Sequence, residues 1–160
     1  KKVYILRPCM IHGPSNKGNL NLLYKLVSRN IPWPLGLFDN KRSYCSIDNL
    51  SFVIKELIDN NEIPSGIYNV SDDHPLSTND LIRLIAGSQN KSAQIFNVPV
   101  KIINTVAKIG NCISLPLNSE RLKKLTESYI VSNEKIKKAI GKPFPVDSKN
   151  GMLKTFKAFK

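Results

Sequence analysis

Two short, uninterrupted apolar runs constrain this 160-residue chain more than any other feature: Val3–Leu6 and Ile67–Val70. Neither alternates apolar with polar, as a strand with one wet face would. Short continuous runs of β-branched, aromatic and aliphatic residues suit strands covered on both faces, as in a parallel sheet. The first run ends at Arg7-Pro8, and the second follows the turn Pro64-Ser65-Gly66.

The segments around them carry helical spacing. Asn19 is positioned to cap a helix over 20–29, with Leu22, Leu23, Leu26 and Val27 on one face. Two prolines exclude helix from Ile31 to Gly36. Ser43–Ile47 reads as a strand. Asp48 then caps a helix running to Asn60, with Leu50, Val53, Ile54, Leu57 and Ile58 inward. Ser77-Thr78-Asn79-Asp80 has the form of a capping box, with Asp at the third helical position, ahead of a helix over 81–87. Gln94–Val98 reads as a further strand. Val100–Cys112 reads as a helix with Ile102, Ile103, Val106 and Ile109 inward. A helical piece starts near Ser119, and Ser132 or Asn133 caps another that Gly141 ends. Gly151–Phe159 is the last helix. Strands alternating with helices predict an α/β fold.

Composition narrows the class. Hydrophobic residues make up 41% and charged residues 22%, the balance of a folded globular domain. No apolar run reaches the roughly 20 residues that span a bilayer, and the N-terminus lacks the form of a signal peptide. It reads as a buried strand entered abruptly, as if a longer chain had been cut before it. Cys9, Cys45 and Cys112 are odd in number and form no CxxC, which points to buried, reduced thiols of a cytoplasmic protein. His12 and His74 form no metal motif. The net charge of +12 admits phosphorylated small molecules or nucleic acid as partners. The densest basic stretch, Lys135 to Lys142, reads as the solvated face of a helix; a nucleic-acid patch is the rival reading. No glycine-rich dinucleotide loop follows a strand, no Tyr-x-x-x-Lys pair is present, and two isolated histidines place no Ser-His-Asp triad.

Five segments, in order, carry a resemblance. Arg7-Pro8-Cys9-Met10-Ile11-His12-Gly13-Pro14 is similar to the RPxxVYGP segment of extended short-chain dehydrogenases. Gly36 leads to Arg42 and then Ser43-Tyr44-Cys45-Ser46-Ile47-Asp48-Asn49-Leu50, like that family's G-x5-R segment. Ile67-Tyr68-Asn69-Val70-Ser71 resembles its YNVG strand. Ser77–Leu81 resembles its S-x-x-E-L helix start, and Ile140-Gly141-Lys142-Pro143 its LG-x-P. The chain thus resembles the NAD-dependent nucleotide-sugar epimerase/dehydratase family over the portion that follows the catalytic tyrosine and lysine. Within it, the chain is most similar to UDP-glucose 4-epimerase-like proteins and 4-ketoreductases that make N-acetylquinovosamine-type sugars. The run Lys17-Gly18-Asn19 and Pro32–Gly36 carry that finer likeness.

The resemblance implies a C-terminal, substrate-binding portion over 1–160. Segments 3–12 and 67–71 would complete the sheet of an upstream Rossmann domain. It places Pro8, Cys9 and Ile11 beside the nicotinamide of NAD or NADP. It assigns Arg42 to the diphosphate of a UDP- or dTDP-sugar, Leu35 to the base, Asn19 to the nucleotide, and Arg121 to a second, distal phosphate contact. Met10 stands where many members carry a substrate-contacting asparagine, and it favours 4-epimerisation or 4-ketoreduction over dehydration. His12 stands where Tyr or Phe is usual. The implied whole enzyme draws its acid–base pair from an upstream tyrosine and lysine, serves surface-polysaccharide sugar synthesis and forms a homodimer. The present chain is expected to be inactive by itself, to bind the dinucleotide weakly, and to carry no catalytic residue and no metal site.

Overall fold

The computed structural model describes residues 1–16, 18–112 and 119–159, without the side chains of 110–112, 121 and 124. Four strands and seven helices are formed by these residues: β1 (Tyr4–Pro8), β2 (Met10–His12), α1 (Asn19–Ser28), β3 (Tyr44–Ser46), α2 (Ile47–Asp59), β4 (Gly66–Val70), α3 (Thr78–Ser88), α4 (Val100–Cys112), α5 (Ser119–Thr126), α6 (Glu134–Ile140) and α7 (Ser148–Lys157). The α/β class expected from the sequence is what the chain adopts.

The strands make two small parallel sheets. β1 pairs with β4, from Tyr4 opposite Gly66 to Pro8 opposite Val70. β2 pairs with β3, setting Met10, Ile11 and His12 opposite Tyr44, Cys45 and Ser46. The sheets stand over two cores, and β3 sends Tyr44 into one and Cys45 into the other. Tyr68 and Val70 of β4 pack with Val53 and Leu57 of α2 and Ile136 and Ile140 of α6. The second core gathers α1 (Leu20, Leu23), α3 (Leu81, Ile82, Ile85) and α7 (Met152, Phe156) around Trp33, Leu35 and Tyr44. Gln94–Val98, expected as a strand, makes only isolated bridges, Trp33 to Ile95 and Leu35 to Asn97. Pro99 stops the pairing from extending. The crossing is tight: a Cβ on Gly36 would meet Asn97 Oδ1 and come within 2.8 Å of the Phe96 carbonyl.

Several inward assignments are corrected. Val3 is 60% and Ile5 50% exposed, so the first strand is covered on one face only, by the α2–α6 layer. Leu22 on α1, Ile54 and Ile58 on α2, and Ile102, Val106 and Ile109 on α4 are likewise exposed. Each helix carries more apolar surface than its neighbours cover: Ile103 and Ala107 alone of α4's described side chains are buried. Two caps also shift. Gly18, not Asn19, is the N-cap of α1, and Ser46 rather than Asp48 caps α2, accepting from the Asp48 N–H. The Ser77–Asp80 capping box forms as the sequence indicates, and Gly141 ends α6 in the left-handed region, φ 69°.

The two edges of the β1–β4 sheet differ. Gly66 N–H donates to Val3 O and Cys9 N–H to Val70 O, so the intervening carbonyl of Ile67 faces away from β1. The Lys135 ammonium takes it at 2.9 Å and lies over the Tyr68 ring. A lysine on an outer edge blocks a further strand. Among the described residues, nothing pairs with the opposite edge of β1.

Candidate functional site

Arg42 stands in a loop held at several points. Asn40, buried before it, donates to Thr78 Oγ1 (3.0 Å) and to the Leu125 carbonyl (3.2 Å), and accepts from Thr78 N–H (3.1 Å). Arg42 and Leu76 exchange both backbone hydrogen bonds at 2.9 Å, while Tyr129 N–H donates to Lys41 O and Ser43 N–H to Tyr129 O, each at 2.8 Å. The backbone is therefore pinned from two sides. The side chain is half-buried, and among the described residues no carboxylate pairs with its guanidinium. Its charge acts on the neighbouring Tyr44 phenol. Burial pushes that phenol up to about 12, against the opposing pull of Arg42.

β2 brings the Pro8–Ile11 segment alongside. Met10 lies opposite Tyr44, two residues beyond Arg42. Pro8, Met10 and Ile11 are exposed and Cys9 is half-buried, which makes a mostly apolar rim where β1 runs into β2. The Cys9 and Cys45 thiols are both free. Burial, with a smaller push from the Asp72 charge, raises each from 9.0 to about 12, and these thiols stay protonated and unreactive. Asn19 is exposed at the start of α1. The preceding Asn16 ties that turn to β2, donating to Ile11 O (3.1 Å) and accepting from Gly18 N–H (2.7 Å). Lys17 lies outside the described residues.

Leu35 is 3% exposed and packed in the core with Tyr44 and Leu76. Arg121 belongs to α5, whose C-terminal end is anchored to the Arg42 loop through Asn40 and Leu125; its side chain lies outside the described set. The structure thus brings Met10 and Ile11, on β2, beside β3 and the Arg42 loop that leads into it, with Asn16 tying the turn before Asn19 to β2. A cleft between α1 and the end of α7, lined by Asn16, Tyr24, Lys25, Arg29 and Phe159, includes none of Met10, Ile11, Asn19 and Arg42. Among the described residues, no group of three or more His, Cys, Asp or Glu side chains is placed to hold a metal ion.

Sequence reasoning missed one buried polar cluster. His12 ends β2 with its ring wholly enclosed: Nε2 lies 3.3 Å from Asp72 Oδ2 and Nδ1 2.9 Å from Thr155 Oγ1. Asp72 also accepts from the Ser46 N–H on both oxygens (3.0 and 3.1 Å) and from Asn49 Nδ2 (2.7 Å). Asn49 in turn exchanges hydrogen bonds with the Val146 backbone. The sequence separations are 60 and 143 residues, so no local spacing could have revealed the cluster. The nearest local signal was an acidic pair, Asp72-Asp73, leaving an apolar strand.

This is the α/β arrangement of the sugar-nucleotide epimerases. The chain overlays the UDP-N-acetylglucosamine 4-epimerase of Bacillus cereus with a TM-score of 0.67 at 12% identity, covering 99% of this chain and 48% of that one. It overlays the Bordetella bronchiseptica enzyme WbmG, crystallised with NAD and UDP, equally well at 14% identity, over 99% of this chain and 43% of that one. No protein-family model matches the chain. In sequence it is 31% identical over 159 residues to the UDP-glucose 4-epimerase of Vibrio cholerae, covering 99% of this chain and 47% of the relative. It is 26% identical over 140 residues to the N-acetyl-α-D-glucosaminyl-diphospho-ditrans,octacis-undecaprenol 4-epimerase of Escherichia coli O157:H7, over 86% of this chain and 39% of that protein. In sequence, then, the chain is similar to sugar 4-epimerases, and its fold is that of solved epimerases. It spans about half the length of the curated relatives it matches.

Proposed function

We propose that this chain is the C-terminal, sugar-nucleotide-binding portion of an NAD- or NADP-dependent sugar 4-epimerase or 4-ketoreductase, and that Arg42 grips the diphosphate. The Arg42 guanidinium carries this reading: a half-buried cation on a pinned backbone, with no protein anion against it among the described residues. Guanidinium makes forked, charge-assisted bonds to phosphate oxygens. Both curated relatives are named for sugars carried on a diphosphate, so the shared chemistry is the group that such a fork recognises.

Met10 and Asn19 flank the same strands and are assigned to the sugar and nucleotide. Arg121, on the helix anchored to the Arg42 loop, is assigned to the distal phosphate. Leu35 keeps its assignment beside the base, although its side chain has little surface left to offer. The exposed apolar rim of Pro8, Ile11 and half-buried Cys9 fits the flat nicotinamide ring, at strand ends where α/β sheets receive ligands. Bound there, NAD or NADP supplies hydride exchange at sugar C4. This chain's residues supply orientation, holding the non-reacting diphosphate so that the sugar faces that rim.

The β1–β4 sheet supports a larger assembly. A parallel sheet with one bare apolar face and one unpaired edge is incomplete by the usual rule that both faces are covered. An upstream Rossmann domain supplies the cover, the dinucleotide loop and the acid–base pair in our reading, and the whole acts as a cytoplasmic homodimer. No described helix is long and apolar enough to cross a membrane. The rival reading, a basic nucleic-acid module, draws on Lys135–Lys142. There Lys137 is paired with Asp73 and Lys142 with Glu56, each at 2.7 Å, and Lys135 is spent on the Ile67 carbonyl.

In the longer protein carrying this chain, Arg42→Ala should weaken UDP binding by tenfold or more, about 1.4–3 kcal/mol for a lost charged hydrogen-bond pair. Calorimetric titration with UDP checks this, and wild-type affinity in the variant rules out the Arg42 assignment.

A further inference from the structure

We propose that the buried His12–Asp72 pair is a positioning unit for the Arg42 grip, setting how β3 and the Arg42 loop leading into it stand relative to β2. The inference rests on the reading of Arg42 as the diphosphate ligand. It begins with what the pair joins. Asp72 N–H donates to Tyr44 O at 2.7 Å, and the Asp72 carboxylate holds the Ser46 N–H. Four residues further on, Leu76 brackets Arg42. The segment 72–76 therefore supports the stretch from Arg42 to Ser46 at three places. His12 connects this support to β2 through Asp72 and to α7 through Thr155. Its ring also stands edge-on to Tyr44, 6.2 Å between centroids.

The neighbouring backbones leave no slack. A Cβ on Gly13 would come within 2.7 Å of Ile47 Cγ2, and one on Gly151 within 3.3 Å of Ser46. β2's exit loop, the β3–α2 junction and α7 are pressed together around the pair.

The cost of such a cluster argues for a purpose in geometry. Enclosing a carboxylate is unfavourable unless every oxygen is hydrogen-bonded, and apolar residues of like volume often serve stability as well or better. Asp72 meets that demand, with Ser46, Asn49 and His12 all donating to it. What the polar cluster adds over an apolar one is direction: hydrogen bonds fix the angles and register of the strands that an apolar contact would let slide. The register so fixed keeps Met10 opposite Tyr44, and hence the apolar rim at a set distance from the guanidinium. The same hydrogen bonds hold the backbone that carries the guanidinium, so loosening the pair should weaken ground-state binding of the diphosphate more than it slows turnover.

The test uses the longer protein carrying this chain, with UDP as the binding probe and sugar-nucleotide turnover as the second readout. His12→Phe keeps a ring against Tyr44 and removes both nitrogens. It should weaken UDP binding and raise KM about tenfold, while kcat changes by about twofold or less. His12→Gln, whose amide N–H can still reach Asp72, should recover most of the loss. Asp72→Asn added to His12→Phe should cost less than it does alone, because the two act as one unit. Should His12→Phe fail to fold, Thr155→Val removes only the α7 tie and should weaken UDP binding about threefold, or half the logarithmic effect. If these variants lower the melting temperature yet leave UDP affinity and KM unchanged, while Arg42→Ala weakens both, the pair is structural only and the proposal falls, with the diphosphate reading intact. If Arg42→Ala also has no effect, both fall together.

Discussion

The two parallel sheets have the same strand number and pairing sense, yet they are finished differently. β2–β3 is closed. Tyr44, Cys45 and Ser46 are all buried, and polar side chains from three other segments hydrogen-bond into its end. β1–β4 is half-closed. Tyr68 and Val70 are buried against α2 and α6, while Val3, Ile5 and Ile67 face outward. A side chain's worth depends on what lies across from it, so equal apolar residues on the two sheets should respond very differently to substitution.

The largest expected effect is in the closed sheet. Asp72→Ala removes the acceptor of Ser46 N–H and Asn49 and the partner of His12 together, and should cost about 3 kcal/mol or more, since each buried donor left without an acceptor costs about 1–3 kcal/mol. Denaturant unfolding of this chain measures it; a loss below 1 kcal/mol would mean that the cluster is not what closes β2–β3.

An intermediate effect should appear with alkali, where the sheets meet at Cys9 and Cys45. Both thiols are raised from 9.0 to about 12 by burial. The folded state thus keeps protons that the unfolded state gives up. The stabilisation is full below pH 9.0 and is lost as pH rises toward 12. Labelling of Cys9 and Cys45 at about pH 8, located by peptide mapping so that Cys112 is read separately, should be slow in the folded chain and fast in denaturant; rapid labelling at those two positions in the folded chain would show that they are open to solvent.

The smallest effect belongs to the open face. Ile5→Ser should change the stability of this chain by no more than about 0.5 kcal/mol, as for an ordinary surface site. In the longer protein it should cost about 1.5–3 kcal/mol if that face is covered there. Equal costs in both would remove the incomplete sheet as support for the upstream domain.

Much of the architecture was legible. The apolar runs located β1 and β4, and Ser77 with Asp80 and Gly141 marked helix ends, because caps depend on neighbours three or four residues away. Cap identity failed at Asn19 and Asp48, where the chain starts its helix one residue or more earlier than side-chain preference suggests. Helix faces failed at Leu22, Ile58 and Ile102 for a different reason. Periodicity says which residues share a face, and tertiary packing says how much of that face is covered. For the candidate site, the sequence pointed to Arg42 and Met10 through family likeness, and the fold brought their segments together. It placed Leu35 by the same likeness, without showing that the core had already taken its side chain.

By itself, then, the sequence determined the α/β class, most helices and their caps, and the motif order shared with the epimerases, all of which rest on local spacing. The tertiary structure decided which apolar faces stay bare, that Arg42 stands without a protein counter-charge among the described residues, and that His12, Asp72 and Thr155 meet. Those outcomes depend on contacts between distant residues, 60 and 143 positions apart for His12 with Asp72 and Thr155, and no short-range pattern encodes them.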